Sequence, residues 1–394
     1  MGDREGREHF LPLSSRELIE LLCADRTLPE TDRAALRCFG DLVSATCHLE
    51  YNRRLGELKA AYAPFDPDAD SLPLFPLSAE QRQERLNDLV CDFAWLLERA
   101  NFKHLSREEI EPTLATSSDW GIRMDVDFSA FEHIAIFARG ACLQKRTRRR
   151  LRKLYRLEEA EVPIWRRLVL ILKLRQHPRL VGTVDTQNVY LKIFKDIPQL
   201  DVMMLLPGAR VRFTNLDRGW IGLPLISGAA MAVWNFVQDL YQSIETWGLA
   251  AGGIGYGYKC YYGYRQTKQR YHLTLTQSLY FQNLDSNAGV LTRLFEEAEE
   301  QECRAALLAY YCLWRYAPPD GWTATDLENS MDLYLDRYAD LAVRSDGGTA
   351  LEALQRQRVV EKKGDRWRAR PLAQALEALR ETWDGRFPRL PVLK

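Results

Sequence analysis

An α+β fold in four parts is what this chain predicts, and three observations carry the prediction. Apolar residues recur at helical spacing from Ser14 to Ala115, runs rich in Ile, Val, Phe and Leu follow between Phe131 and Phe194, and a glycine-rich, uncharged stretch precedes a final group of helices and a hairpin. The expected parts are a helical N-terminal domain (1–120), a small central β-sheet domain (121–215), a Gly-rich apolar helical hairpin (216–260) and a helical, winged-helix-like domain (261–394).

The first part reads as helices because Leu18, Leu21 and Leu22, then Leu36, Phe39, Val43 and Leu49, then Leu86, Leu89, Val90, Phe93, Leu96 and Leu97 fall on helical stripes. Ser14 and Ser78 stand where N-caps belong, and the Pro- and Asp-rich stretch Ala63 to Pro76 separates two helices. The runs Phe131 to Ala138, Ile164 to Leu174 and Val189 to Phe194 read as strands of one sheet. The continuous apolar run at Ile164 fits either a buried strand or a short buried helix, and its β-branched content favours strand. In the last part, Leu291 to Tyr316 is helical, Thr323 caps a helix through Leu341, and Thr349 opens a shorter one with Leu351 and Leu354 inward. A hairpin from Val359 to Ala369 turns at Lys363-Gly-Asp, and Pro371 starts the last helix at its first turn. That order suggests a winged helix.

The third part carries the strongest signal of location. Gly219 to Gln238 is twenty residues without a charge, and Thr246 to Tyr258 is a second apolar stretch. Arg210, Arg212 and Arg218 precede the pair; Lys259, Arg265, Lys268 and Arg270 follow it; the connection between carries Asp239 and Glu245. Basic ends and an acidic connection are the pattern of a membrane hairpin whose ends stay on the cytoplasmic side. Gly248, Ala251, Gly252 and Gly255 supply small residues for close helix packing. The competing expectation is a Gly/Ala-rich helical pair buried within a soluble fold, which would make the chain cytoplasmic.

Composition bounds the rest. With 46% hydrophobic residues the chain has ample core material, and 54 basic against 54 acidic residues leave no global field toward lipid or nucleic acid. Eight cysteines without a CxxC pair, after a start too polar for a signal peptide, lead to the expectation of free, mostly buried thiols in a reduced compartment.

The stretch from Val189 to Asn287 resembles an uncharacterised family, domain of unknown function 3754, which includes the mitochondrial transmembrane protein 143. The likeness rests on Val189-Tyr-Leu-Lys-Ile-Phe-Lys-Asp-Ile-Pro198 with Lys192, Lys195 and Pro198, on Leu206-Pro207-Gly208, Arg212, Asp217-Arg218 and Gly222-Leu-Pro224, and on Tyr264-Arg265, Tyr271, Leu279-Tyr280 and Asn283-Leu-Asp285. It extends toward Tyr62-Ala-Pro-Phe-Asp-Pro-Asp68 and Pro371-Leu-Ala-Gln-Ala-Leu. The resemblance implies a membrane protein with a central pair of apolar segments, and it implies no catalytic residue.

The residues themselves nominate no enzyme, cofactor or metal. Gly252-Gly-Ile-Gly-Tyr-Gly257 lacks the Gly-Lys-Ser/Thr ending of a phosphate loop; Asp66-Pro-Asp-Ala-Asp70 lacks the Gly and Glu of a calcium loop; the six histidines form no HExxH, and there is no GxSxG. The densest charge run, Lys145 to Arg156, holds eight basic residues in twelve. The first reading of such a run is a solvated hairpin tip balanced by Glu158, Glu159 and Glu161; as a functional site, Lys145, Arg146, Arg148, Arg149, Arg150, Arg152 and Lys153 are candidates for anionic lipid next, and for nucleic acid third. The expected function is an uncharacterised, non-enzymatic membrane-associated protein with a lipid-binding basic patch. A soluble winged-helix protein binding nucleic acid or a protein partner stands as the alternative.

Overall fold

A computed structural model of the protein describes residues 10–69, 77–106, 123–149, 157–178, 180, 185–212 and 281–386. The Gly-rich apolar pair expected at 216–260 lies outside these residues. Among the described residues no helix is long and apolar enough to cross a membrane.

The N-terminal helices form where the sequence places them. Helix α1 (Ser15–Cys23) and helix α3 (Ala79–Arg99) each begin with a capping box: Ser14 and Ser78 accept from the N–H groups of Glu17 and Gln81, whose side chains accept in return from the cap N–H. Between them α2 (Glu30–Tyr62) runs for 33 residues, roughly 50 Å at 1.5 Å per residue. On α3 the buried stripe is Leu86, Leu89, Phe93, Leu96 and Leu97, whereas Val90 is half exposed. Val90 was expected inside, but it falls on the margin of the stripe.

The central runs pair as one antiparallel sheet of order β1-β3-β4-β5-β7, built from β1 (Lys103–His104), β3 (Phe131–Arg149), β4 (Leu157–Leu174), β5 (Val189–Pro198) and β7 (Asn283–Ser286). A separate pair joins β2 (Arg123–Asp125) to β6 (Arg210–Arg212). The Ile164 run is a strand, and its continuous apolarity has a plain cause. Val169 faces one hydrophobic core while Leu168, Leu170 and Leu172 face another, so β4 is covered on both sides.

Helix α4 (Ala288–Tyr316) lies antiparallel to α2, with Tyr62 near Asn287, Tyr51 on Phe295 and Phe39 stacked on Tyr310. The two helices run through two cores. One core joins the sheet to α3, the second half of α2 and the first half of α4; the other joins α1 and the first half of α2 to the second half of α4 and everything after it. The first and last helices of the chain thus share a core.

That second core includes α5 (Ala324–Ala339), α6 (Gly347–Arg356), the hairpin of β8 (Val360–Lys363) and β9 (Arg366–Ala369), and α7 (Leu372–Gly385). Thr323 caps α5 in a capping box with Asp326, as expected. Helix α6 starts earlier than Thr349, because Asp346 is the cap and accepts from the Thr349 N–H at 3.1 Å. Pro371 precedes α7 as its cap instead of entering its first turn. The hairpin turns at Gly364 with φ +64, and Trp322 bridges to Trp367 through two backbone hydrogen bonds.

Between the two cores lies a buried polar belt. Glu302, with 2% of its side chain exposed, accepts from Arg99 Nη1 and Tyr51 Oη at 2.8 Å each and pairs with Arg356. Arg99 also holds Glu352 on α6 at 2.9 Å, so α2, α3, α4 and α6 meet at one carboxylate. Burial opposes the Arg99 charge, yet Glu302, Tyr51 and Glu352 outweigh it and raise its pKa. Replacing Glu302 by Ala leaves two arginines without their buried partner. The expected loss is about 3 to 5 kcal/mol in urea unfolding, against less than about 1 kcal/mol for Glu352→Ala, whose carboxylate is 63% exposed.

Candidate functional site

The basic run sits on a projection from the sheet. Strand β5 ends at Pro198, opposite Ile164, while β3 and β4 continue past it as a two-stranded ribbon over 142–149 and 157–163. At about 3.4 Å per residue the overhang is roughly 25 Å long. Lys145, Arg146, Arg148 and Arg149 lie on β3; Arg150, Arg152 and Lys153 lie outside the described residues. Register places Glu161 opposite Lys145 and Glu158 opposite Arg148, while Arg146 faces Ala160 and Arg149 faces Leu157.

Where the ribbon leaves the sheet, the backbone bends. Gly140 has φ +75, and a Cβ there would stand 2.9 Å from Cβ of Arg166. The registers on either side put Gly140, Arg166 and Asp196 in one row, and Asp196 also has positive φ, +52. The strands on either side of β4 thus each place a left-handed residue at the same level.

Several family-motif stretches converge at the opposite end of β5. Asn287, buried and at φ +51, accepts from the Leu191 N–H at 3.2 Å and the Tyr62 hydroxyl at 3.5 Å, and donates to Asp68 at 2.6 Å. Tyr62 also donates to the Val189 carbonyl at 2.7 Å. Burial pushes the Tyr62 hydroxyl pKa up, with Asp66 and Asp68 adding to it, so the phenol stays a donor. Asp285 occupies the space a Cβ at Gly289 would need, so a larger residue in the first turn of α4 would require that side chain to shift. Lys192 reaches Ser286 Oγ at 3.4 Å across β5 and β7, and Lys195 stands opposite Arg167. Leu206 to Ala209 forms the expected sharp bend, with Pro207 second, Gly208 third at φ +75, and the Ala209 N–H on the Leu206 carbonyl at 3.3 Å. Arg212 ends β6; Asp217, Arg218, Tyr264 and Arg265 lie outside the described residues. The sequence named the Tyr62 and Asn283 stretches, with Asn287 only as the end of the family-like stretch; its role shows only once β5 and β7 are paired.

Other chemistry is spoken for by structure. Ser129 and Asp127 both approach Nε2 of His177, at 3.4 and 3.5 Å, and Ser129 donates to Asp127; a nucleophile triad needs the acid and the hydroxyl on different ring nitrogens. Asp127 serves as the cap of the short turn Phe128–Ala130. Among the described residues no group of His, Cys, Asp and Glu could hold a metal ion. All seven described cysteines are free, with Cys23, Cys47, Cys303 and Cys312 buried. A hydrogen bond from Cys47, joined by Ser44 and Ser15, lowers the Cys303 pKa and raises that of Cys47. Beside Glu302 a small cleft of about 40 Å³ opens between Arg99, Gln301, Met331 and Arg344. Its walls mix both charges.

Residues 166–289 match the family model DUF3754, a protein of unknown function. The DUF3754 match starts at Arg166 in β4 and ends at Gly289 in the first turn of α4, so it takes in the paired strands β5 and β7 and the whole interval between them. The Tyr62 stretch contacts the DUF3754 region from outside it. No solved structure matches the chain.

Asn287 offers a test of this junction. Asn287→Ala removes the acceptor of a buried N–H and is expected to cost about 1 to 3 kcal/mol. Asn287→Asp instead places a carboxylate against Asp68. Repulsion raises the folded-state pKa of that pair, so stability is highest with the pair protonated and falls as pH rises through the carboxylate range. Urea midpoints at pH 4 and pH 7 distinguish the two variants, since only Asn287→Asp adds this loss toward neutral pH.

Proposed function

We propose that this protein is a non-enzymatic, membrane-associated protein whose described domains lie on the cytoplasmic side of the bilayer. The DUF3754 match assigns a domain of unknown function only, so the support comes from topology. Strand β5 ends at Pro198 and β7 begins at Asn283, and both points lie at the end of the sheet from which the β3–β4 ribbon projects. The chain between them holds both apolar stretches. A basic ribbon beside the two stems of an apolar hairpin is the arrangement that lets arginines meet anionic head groups while the hairpin enters the hydrocarbon. In this reading the segment Asp239 to Glu245 crosses to the far side.

The reading as a nucleic-acid-binding winged helix has less support. Helix α6 occupies the position of a reading helix, but its Arg356 is engaged by Glu50 and Glu302. A protein partner for the wing fits better than base reading.

Membrane fractions of cells making the full chain separate these readings. Resistance to high salt with release by detergent is expected for an inserted hairpin; release by salt alone would refute insertion. Changing Arg148, Arg149, Arg150 and Arg152 together to Ala is expected to weaken binding to anionic vesicles by about 1 kcal/mol for each side chain that reaches the head groups, with an unchanged melting temperature. Loss of binding to single-stranded RNA, with vesicle binding kept, would favour the nucleic-acid reading instead.

A further inference from the structure

A row of like charges crosses the sheet one residue inside the bend. Arg139 on β3 stands opposite Arg167 on β4, and Arg167 opposite Lys195 on β5. Directly opposed residues of antiparallel strands share a face, and like charges in such a row destabilise the sheet. This face is the one packed against α4, whose Arg293 adds a fourth cation. Among the described residues one carboxylate answers them: Glu297 accepts from Arg139 Nη2 at 2.6 Å and stands 3.5 Å from Arg167 Nε and 3.7 Å from Arg293 Nε. Those two Nε atoms are buried and form no hydrogen bond among the described residues, and Lys195 makes no ion pair among them. Of the acids that follow it along α4, Glu299 is paired with His48 and Glu300 with Arg304.

The Arg139 side chain is built in. It is 7% exposed, donates to the Ala100 carbonyl at 2.7 Å, and lies between the rings of Phe10 at 4.3 Å and Phe102 at 4.7 Å. Burial lowers its pKa despite Glu297. Arg167 and Arg293, by contrast, are about one third exposed and open to solvent.

We infer that Arg167, Lys195 and Arg293, beside the buried Arg139, form a binding site for a phosphate group, in which Glu297 answers part of the charge and the surplus takes the ligand. Guanidinium forks match phosphate oxygens, and a sheet that keeps a repulsive row breaks a local rule of stability, as functional sites do. The site does not depend on membrane insertion. Arg167 and Lys195 belong to the DUF3754 region, at the ribbon end of the sheet. The phosphate could belong to a lipid head group or to a soluble phosphate ester.

The test uses the full chain and its Arg167→Gln, Lys195→Gln and Glu297→Gln variants, each checked for native circular dichroism. Melting temperature is followed against inorganic phosphate at constant ionic strength set with chloride. A saturable rise is expected in the parent, with affinity lower on the order of tenfold in Arg167→Gln and Lys195→Gln and higher in Glu297→Gln, where a competing carboxylate is gone. Equal responses in all four proteins would mean general salt stabilisation and overturn the site, as would loss of phosphate affinity in Glu297→Gln. Flotation with phosphatidylcholine vesicles, with and without phosphatidic acid, then finds the source. Arg167- and Lys195-dependent flotation with phosphatidic acid supports a head group; a phosphate response without such flotation supports a soluble ester; neither response in the parent overturns the proposal.

Discussion

The Glu302 carboxylate fixes how the two long helices sit against each other, and most other contacts follow from that register. Apolar surfaces on α2 and α4 attract without direction, so hydrophobic burial alone leaves sliding by a turn, about 5.4 Å, weakly opposed. A buried carboxylate that must meet Tyr51, Arg99 and Arg356 opposes it strongly, since each partner left behind is a buried polar group without its bond. Gln301 and Arg304 hold both backbone groups of Leu11 and so anchor the segment before α1 to the same helix. With the register set, the first turns of α4 meet the sheet and the last turns meet α5 to α7. One polar belt therefore positions two cores.

Local chemistry was legible in the sequence, and long-range pairing was not. The caps at Ser14, Ser78 and Thr323 announced themselves because a capping box is a four-residue pattern. The strands at Phe131, Ile164 and Val189 were visible through their β-branched runs, and Gly208 and Gly364 marked their turns. Asp346 was missed as the α6 cap because Gly347 and Gly348 follow it, two poor helix formers that made the periodic stretch seem to start at Thr349. Glu302 looked like one more acid in the run Glu296-Glu297-Ala-Glu299-Glu300-Gln-Glu302. What makes it different is that Arg99, Arg356 and Tyr51 come to it from far along the chain. The candidate site was legible to the same degree: the charge run was obvious, whereas Arg139, Arg167 and Lys195 read as unrelated cations until strand register aligned them.

The locally unfavourable features of the described sheet gather where the ribbon leaves it. Gly140 and Asp196 take left-handed backbone conformations, and the neighbouring row is made of three cations. A left-handed Asp costs on the order of 1 kcal/mol or more unless the surroundings impose it. At this position Gln282 donates to the Asp196 carbonyl at 3.1 Å, tying the bend to the chain just before β7. The bend, the return of the DUF3754 interval and the cation row thus share one stretch of β5.

That sharing has a mechanical consequence. Rows of a sheet alternate faces, so the bend row and the cation row are consecutive residues on the same three strands, pointing to opposite sides. Repulsion within the cation row pushes those strands apart; an anion bound there draws them together. The charge balance at Arg139, Arg167 and Lys195 therefore bears on the same three strands that carry the left-handed residues and, on β3 and β4, the basic ribbon. Among the described residues two strands pair along the overhang, and Val162 on it is buried. At the root of the ribbon Glu297 meets three guanidinium groups, so that is where charge and strand geometry come together.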